Sequence, residues 1–295
     1  MYEASNIIKA LARRAEIMKA RATITQLGES LINQELDNTI VDSDKNYDLV
    51  YILKKSDYNP DLRMSLRSVE KFCTYRKIWI IGYKPEWLTN VEYVETEQKG
   101  NKWQNSTLNW KTACKTDGIS NKFVLMNDDF IALRPIHNWE ESLNICLGTI
   151  SAEAEKWSKR RKLSRWQTGF ISDTELLKKL HTLTDYNYEV HAPMIVDKKE
   201  FLEFIELPEI VEFLETSKVL HKRSIYKNLY PNRELGFPRK IKDVKVTLNF
   251  DLNDSFLREN WISVFDDVIG NSLRFPKINK FLDRMFPNKS IFELD

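Results

Sequence analysis

From residue 47 onward, short apolar runs alternate with segments whose apolar positions recur every three or four residues. "YDLVYILKK" (47–55), "RKIWIIGY" (76–83), "VEYVET" (91–96) and "KFVLM" (122–126) read as strands. Between them, "DLRMSLRSVEKF" (61–72) follows Pro60 and sets Leu62, Leu66, Val69 and Cys73 at helical spacing. "PEWLTN" reads as a short helical turn, and "STLNWKTACKT" (106–116) as a second amphipathic helix. This β-α-β-α-β rhythm predicts an α/β protein with a mainly parallel sheet flanked by helices.

On either side of that rhythm the pattern changes. Residues 5–34 predict a helix, with Ile8, Leu11, Ala15, Met18 and Ala22 in a stripe behind a Ser5 cap. Lys9, Arg13, Arg14, Lys19 and Arg21 fall largely off the stripe, which favours a packing helix with a solvated basic face over one that touches phosphates. The stripe also permits a homodimer. Residues 1–45 are thus an N-terminal helical segment, and 46–295 the main domain. Beyond residue 150, "SAEAEKWSKRRKLSRWQ" is polar and either helical or mobile. "YEVHAPMIVDKKEFLEFIE" (188–206) reads as strand, turn, strand and helix; "DVKVTLNFDL" and "NWISVFDDVIG" read as strands; "FPKINKFLDRMFPNKS" reads as a short helix. There is no internal repeat, and neither GxGxxG nor GxxxxGK[ST] occurs.

Composition narrows the class. With 295 residues, 42% hydrophobic and 12% aromatic, the chain is rich enough for a sizeable core. No run approaches the roughly 18 apolar residues of a membrane span. The first twenty residues place Arg and Glu where a signal peptide has its apolar centre, so a cytoplasmic location is expected in whatever cell makes the chain. Cys73, Cys114 and Cys146 are widely spaced and read as reduced thiols. The net charge of +2 demands no polyanionic partner, but "KWSKRRKLSR" (156–165) makes Lys159, Arg160, Arg161 and Arg165 candidates for nucleic-acid contact.

The chemistry-bearing candidates begin with Asp128 and Asp129, directly after the fourth strand. Ligands bind at the carboxyl ends of strands in such sheets, and paired carboxylates suit Mg²⁺ or Mn²⁺. "NDD" between two apolar runs equally fits a hairpin turn. His191, in "VHAPM", fits a proton-transferring base or a hydrogen-bonded structural histidine. Asp266 and Asp267 form a second apolar–Asp–Asp–apolar segment. Arg63 and Arg67, four apart on one helix face, fit a diphosphate clamp or a solvated face.

Taken in order, these segments resemble the Stealth proteins, which include bacterial capsular hexose-1-phosphate transferases and the eukaryotic N-acetylglucosamine phosphotransferase of lysosomal targeting. "LRMSLRSVEKF" is similar to the family's Leu-Arg-x-Ser-Leu-Arg-Ser-(Ile/Val)-Glu helix, and "KFVLMNDDF" to its Asn-Asp-Asp metal motif at Asn127, Asp128 and Asp129. "WQNSTLNW" resembles its Phe-Asn-Ser segment at Asn105 and Ser106, "VHAPM" its His-x-Pro motif and "WISVFDDV" its last acidic strand. The resemblance spans roughly residues 47–293. The opening Trp-Val-Asp-Gly of the family is replaced here by "ILKKSDYN", leaving Asp57 as its acidic counterpart, and Phe265 stands where the family has Asn. The compact length resembles phage-type members.

The resemblance implies a GT-A-like (Rossmann-like) fold, to which the chain's own pattern adds an N-terminal helix and a mixed C-terminal part. It implies a nucleotide-sugar transferase with Mn²⁺ or Mg²⁺ at Asp128 and Asp129, and His191 and Asp267 as catalytic residues. Arg63, Arg67, Lys102, Asn105 and Asn127 are then donor-binding candidates, with a UDP-sugar as the expected donor. Sugar transfer to a hydroxylated base in phage DNA is the expected reaction. Hexose-1-phosphate transfer to a capsular or wall glycan, and a non-catalytic DNA-binding module, are the alternatives.

Overall fold

The run Asp48–Leu53 forms β1, the centre of a five-stranded sheet, because its alternating apolar side chains meet a packed layer on each face. The structure, a computed structural model, describes residues 47–216, 218–246, 258–264 and 268–294. After β1 come α1 (Pro60–Phe72), β2 (Ile78–Gly82), β3 (Glu92–Glu95), α2 (Lys102–Lys115) and β4 (Lys122–Met126). The chain continues through β5 (Phe130–Ala132), α3 (Trp139–Ser142), β6 (Ile145–Cys146), α4 (Ile150–Ser158) and α5 (Arg165–Lys179). Then follow β7 (Met194–Asp197), α6 (Lys198–Ile205), α7 (Pro208–Glu215), α8 (Lys222–Leu229), β8 (Arg239–Lys240), β9 (Trp261–Ser263) and α9 (Pro276–Met285).

The main sheet has the order β3-β2-β1-β4-β7. The first four of these strands run parallel and β7 antiparallel. This is the mainly parallel, helix-flanked α/β architecture that the rhythm predicts. Leu49, Tyr51 and Leu53 pack with Leu62, Leu66 and Val69 of α1 on one face. Val50, on the other, packs with Trp110 of α2 and with Phe201 and Phe204 of α6. A separate cluster joins Ile131 of β5, Ile262 of β9 and Ile278 and Leu282 of α9.

Helix starts follow their local chemistry. Asn59 caps α1, with Pro60 inside its first turn. Asn101 and Gln104 form a capping box on α2, and Ser164 and Gln167 another on α5. The polar stretch 151–167 falls in α4, the start of α5 and the turn between them.

Two expectations meet a different outcome. Tyr188–Val190 is not a strand: the Tyr188 N–H donates to Ser224 Oγ at 2.9 Å and the Val190 carbonyl accepts from Arg223 Nη1 at 2.8 Å. Side chains of α8 take the backbone groups that a neighbouring strand would otherwise pair. The "NDD" segment is not a hairpin turn either, because β4 and β5 do not pair. β5 instead pairs antiparallel with β9 in a separate sheet. The N-terminal segment 1–45, its helix and any dimer through it lie outside the described residues, as do Asp266 and Asp267. No helix among the described residues is long and apolar enough to cross a membrane.

The strand order fixes where a ligand can sit. From β1 the chain winds outward to β2 and β3, then returns to place β4 on the other side of β1. The crevice outside the carboxyl ends of β1 and β4 is the topological switch point, the usual ligand position in open α/β sheets. At the opposite end of β1, Asp48 is fully buried and satisfied by Arg76 Nε at 2.9 Å and the Ser120 N–H at 2.8 Å, a structural role.

Candidate active site

The acidic pair sits where the chain leaves the main sheet. The Asn127 carbonyl accepts from the Phe130 N–H at 3.3 Å, closing a turn that carries Asp128 and Asp129. The two buried serines of "SLRS" hold β5 beyond it: Ser65 Oγ donates to the Phe130 carbonyl at 2.5 Å, and Ser68 Oγ accepts from the Ala132 N–H at 2.9 Å. Helix α1 thereby anchors the strand that follows the acids.

The two carboxylates occupy different surroundings. Asp128 lines a cavity of about 730 Å³ with Lys54, Ser56 and Tyr58 from the end of β1, Asn59 from the cap of α1, and Arg274 from the segment before α9. Asn59 Nδ2 donates to Asp128 Oδ2 at 2.9 Å. Asp129 accepts from Ser263 Oγ at 2.5 Å. Burial pushes its carboxyl up to about 6, against the Ser263 hydrogen bond, with Asp128 adding to the rise and His191 opposing it.

These are hard oxygen donors of the kind Mg²⁺ and Mn²⁺ take with only one or two protein carboxylates. Among the described residues, no group of three or more His, Cys, Asp or Glu side chains is placed to hold a metal ion. A cation here would complete its shell with phosphate oxygens and water.

His191 is held from three directions. Its Nδ1 lies 2.7 Å from Asp243 Oδ2, and its backbone N–H donates to Asp243 Oδ1 at 3.2 Å. Burial would raise the Asp243 carboxyl, but the His191 contacts and Lys245 outweigh it and hold it below the ordinary range. An ionised carboxylate can only accept, so Nδ1 carries a proton, and in the neutral ring the lone pair lies on Nε2. Arg223 Nη1 and Nη2 donate to the Val190 and Ala192 carbonyls, on either side of His191. The Arg223 guanidinium is buried, which lowers its pKa against the pull of Glu189, Asp129 and Asp243.

The other sequence candidates scatter. Arg63 and Arg67 both grip Glu293: Arg63 Nη1 at 3.0 Å, Arg67 Nε at 2.7 Å and Arg67 Nη2 at 2.8 Å. Arg63 also lies 3.8 Å from the Trp87 ring centre. Their charge is committed to tying the C-terminal segment onto α1. Lys102 is exposed at the start of α2, 4.9 Å from the Trp103 ring. The Asn105 amide bonds both backbone groups of Gly100, at 2.9 and 2.8 Å. Asn127 stands beside Asp128 in the turn. Asp57 accepts from the Tyr83 hydroxyl.

In the basic run, Lys159 pairs with Glu155 at 2.6 Å, Arg160 stacks 4.6 Å from the Trp157 ring, and Arg165 lies 4.8 Å from that of Trp103. Arg161 is exposed.

Sequence reasoning passed over Asn59, Lys54, Arg274, Asp243 and Arg223. Asn59 precedes the Pro60 that opens α1, but nothing local connects it with Asp128. Asp243 and Arg223 stand 52 and 32 residues from His191 and belong to no motif with it.

No family model and no curated protein matches the sequence. Among solved structures, the chain is similar to the galactosyltransferase LgtC in complex with donor and acceptor sugar analogues, at 9% identity and a TM-score of 0.47, covering 83% of this chain and 98% of that one. It is also similar to the glycosyltransferase GlyE of Streptococcus pneumoniae TIGR4, at 9% identity and a TM-score of 0.37, covering 64% of this chain and 44% of that one. At these values the chemistry of the site rests on this chain's own residues.

Proposed function

We propose that this protein is a metal-dependent glycosyltransferase that moves a sugar from a nucleotide-sugar donor to an acceptor hydroxyl. The observation that carries the reading is the cavity at the switch point, which Asp128 lines together with Lys54 and Arg274, while the Asp243-bound His191 acts electrostatically on the carboxyl of the adjoining Asp129. A cavity of this size falls in the roughly 300–1,000 Å³ range of small-molecule sites. Lys54 and Arg274 bind the donor diphosphate, and Asn59 orients Asp128. Asp128 and Asp129 would hold Mn²⁺ or Mg²⁺, which supplies neutralisation of the charge that grows on the departing diphosphate.

His191 Nε2 takes the proton of the acceptor hydroxyl while that oxygen bonds to C1 of the sugar. The C1–O bond to phosphate breaks and its electron pair leaves with the nucleoside diphosphate. Asp243 steadies the imidazolium that forms, and Arg223 keeps the His191 segment in place. Asp267 is assigned to the same acidic site on the Stealth-like order of motifs alone.

The finer reading of the acceptor is a hydroxylated base in phage DNA, supported by the cationic run from Lys156 to Arg165. A capsular or wall glycan is the alternative, with hexose-1-phosphate transfer as its chemistry. Incubation with a panel of nucleotide sugars and Mn²⁺ tests the central claim. UDP release is expected, and Asp128→Ala should reduce it about 100-fold or more. No nucleotide release from any donor, or full activity in the variant, would overturn it. Salt-sensitive duplex binding separates DNA from glycan. Product mass separates the two chemistries, since a retained phosphate adds about 80 Da and its charge.

A further inference from the structure

A second cavity, of about 480 Å³, opens in the layer on the other face of the sheet from α1. Its walls come from the first half of α2, the start of α5, the end of α7 and the start of α8. Its floor is the buried Lys222, whose Nζ donates to Thr107 Oγ1 at 2.9 Å and Ser106 Oγ at 3.1 Å, and lies 5.4 Å from the Trp110 ring centre.

The charge around this amine is one-sided. Lys111, Arg165 and Lys218 line the same cavity, with Glu215 as its one acidic wall residue among those described. Lys111, Lys218 and Lys222 make no ion pair among the described residues, and every hydrogen bond of Lys222 goes to a neutral oxygen. Burial lowers Lys222 to about 7, with only Glu189 pulling the other way. A buried ammonium without a counter-ion is costly. Loss of the proton relieves that cost, whereas an anion brought in from solvent relieves it with the charge kept, and the volume exceeds what a bare inorganic ion needs. Trp103 and Leu220 supply apolar wall for the rest of a ligand.

We infer that this cavity binds a small organic phosphate, its oxyanion between Lys222, Lys218 and Lys111 and its body against Trp103 and Leu220. The site is separate from the donor cavity and does not depend on the glycosyltransferase reading. The two sites share the first turn of α8, since Arg223, which holds the His191 segment, follows Lys222 directly.

The test is calorimetric titration of the full chain with glucose 6-phosphate, with glucose as the uncharged control. Saturable binding is expected for the phosphate and none for the sugar. The surface double variant Lys111→Ala/Lys218→Ala should bind about tenfold or more weakly while keeping the parent's circular dichroism and melting temperature. Absence of saturable binding by the folded parent overturns the inference. So does equal binding of glucose, or a folded double variant that binds as tightly as the parent.

Discussion

Asn59 joins the first helix to the acidic turn. Its Oδ1 accepts from the Leu62 N–H at 3.0 Å while its Nδ2 donates to Asp128 Oδ2 at 2.9 Å, so one amide caps α1 and aims a carboxylate 69 residues away. The two roles are separable. Asn59→Asp keeps a capping oxygen but loses the donor and sets a second negative charge against Asp128. Stability should stay near the parent's, whereas metal-dependent nucleotide release should fall about tenfold or more. Asn59→Ala should lose both, with about 1 kcal/mol of stability. Melting curves and a nucleotide-release assay read the two effects. Equal activity in Asn59→Asp and the parent would remove Asn59 from the site.

Asp243 fixes which nitrogen of His191 is free. In Asp243→Asn the amide can donate to Nδ1, which shifts the ring proton to Nε2 and removes the base. We expect kcat to fall about 100-fold or more with KM little changed. The pH–rate profile should lose its His-dependent limb. A drop in folded fraction with an unaltered profile would mark Asp243 as structural only.

Glu293 gives the fold an acid-sensitive clasp. Burial alone would raise its carboxyl, but Arg67, the Ser290 N–H and Arg63 outweigh it and hold it at about 2. The unfolded carboxyl titrates at its ordinary 4.5. The clasp's contribution is therefore complete above pH 4.5 and lost as pH falls towards 2. Glu293→Gln should cost roughly 2–3 kcal/mol at neutral pH, and its penalty relative to the parent should shrink through that window. Urea unfolding at several pH values measures it; a penalty independent of pH would contradict the assignment.

Lys222 has the opposite sign. Its folded value of about 7 lies below the ordinary 10.5, so between these limits the unfolded chain holds more protons and stability rises with pH. Lys222→Met, which buries no charge, should be more stable than the parent at pH 6. The gap should narrow by a few kcal/mol towards pH 10. A constant gap would show that Lys222 keeps its charge in the cavity.

Much of the fold was legible because it depends on local periodicity. "KFVLM" matches β4 residue for residue, and the helix read from 61 to 72 begins at Pro60 and ends at Phe72. Apolar spacing and a leading proline suffice there, since the period alone assigns each residue its face. The acids at the end of β4 were legible for the same reason: the end of an apolar run marks the end of its strand. Tyr188–Val190 was misread because its backbone partners, Ser224 and Arg223, lie on α8.

The sequence by itself determined the α/β rhythm and the place of Asp128 and Asp129 at a strand end. Only the tertiary structure decided which charges are free to act. Arg63 and Arg67 looked available until Glu293, 226 residues beyond Arg67, took them. Lys54 and Arg274, 220 residues apart, looked unrelated until one cavity took both into its wall. A side chain's period declares which face it occupies, but its charge is set by whatever distant group the closed fold places opposite it.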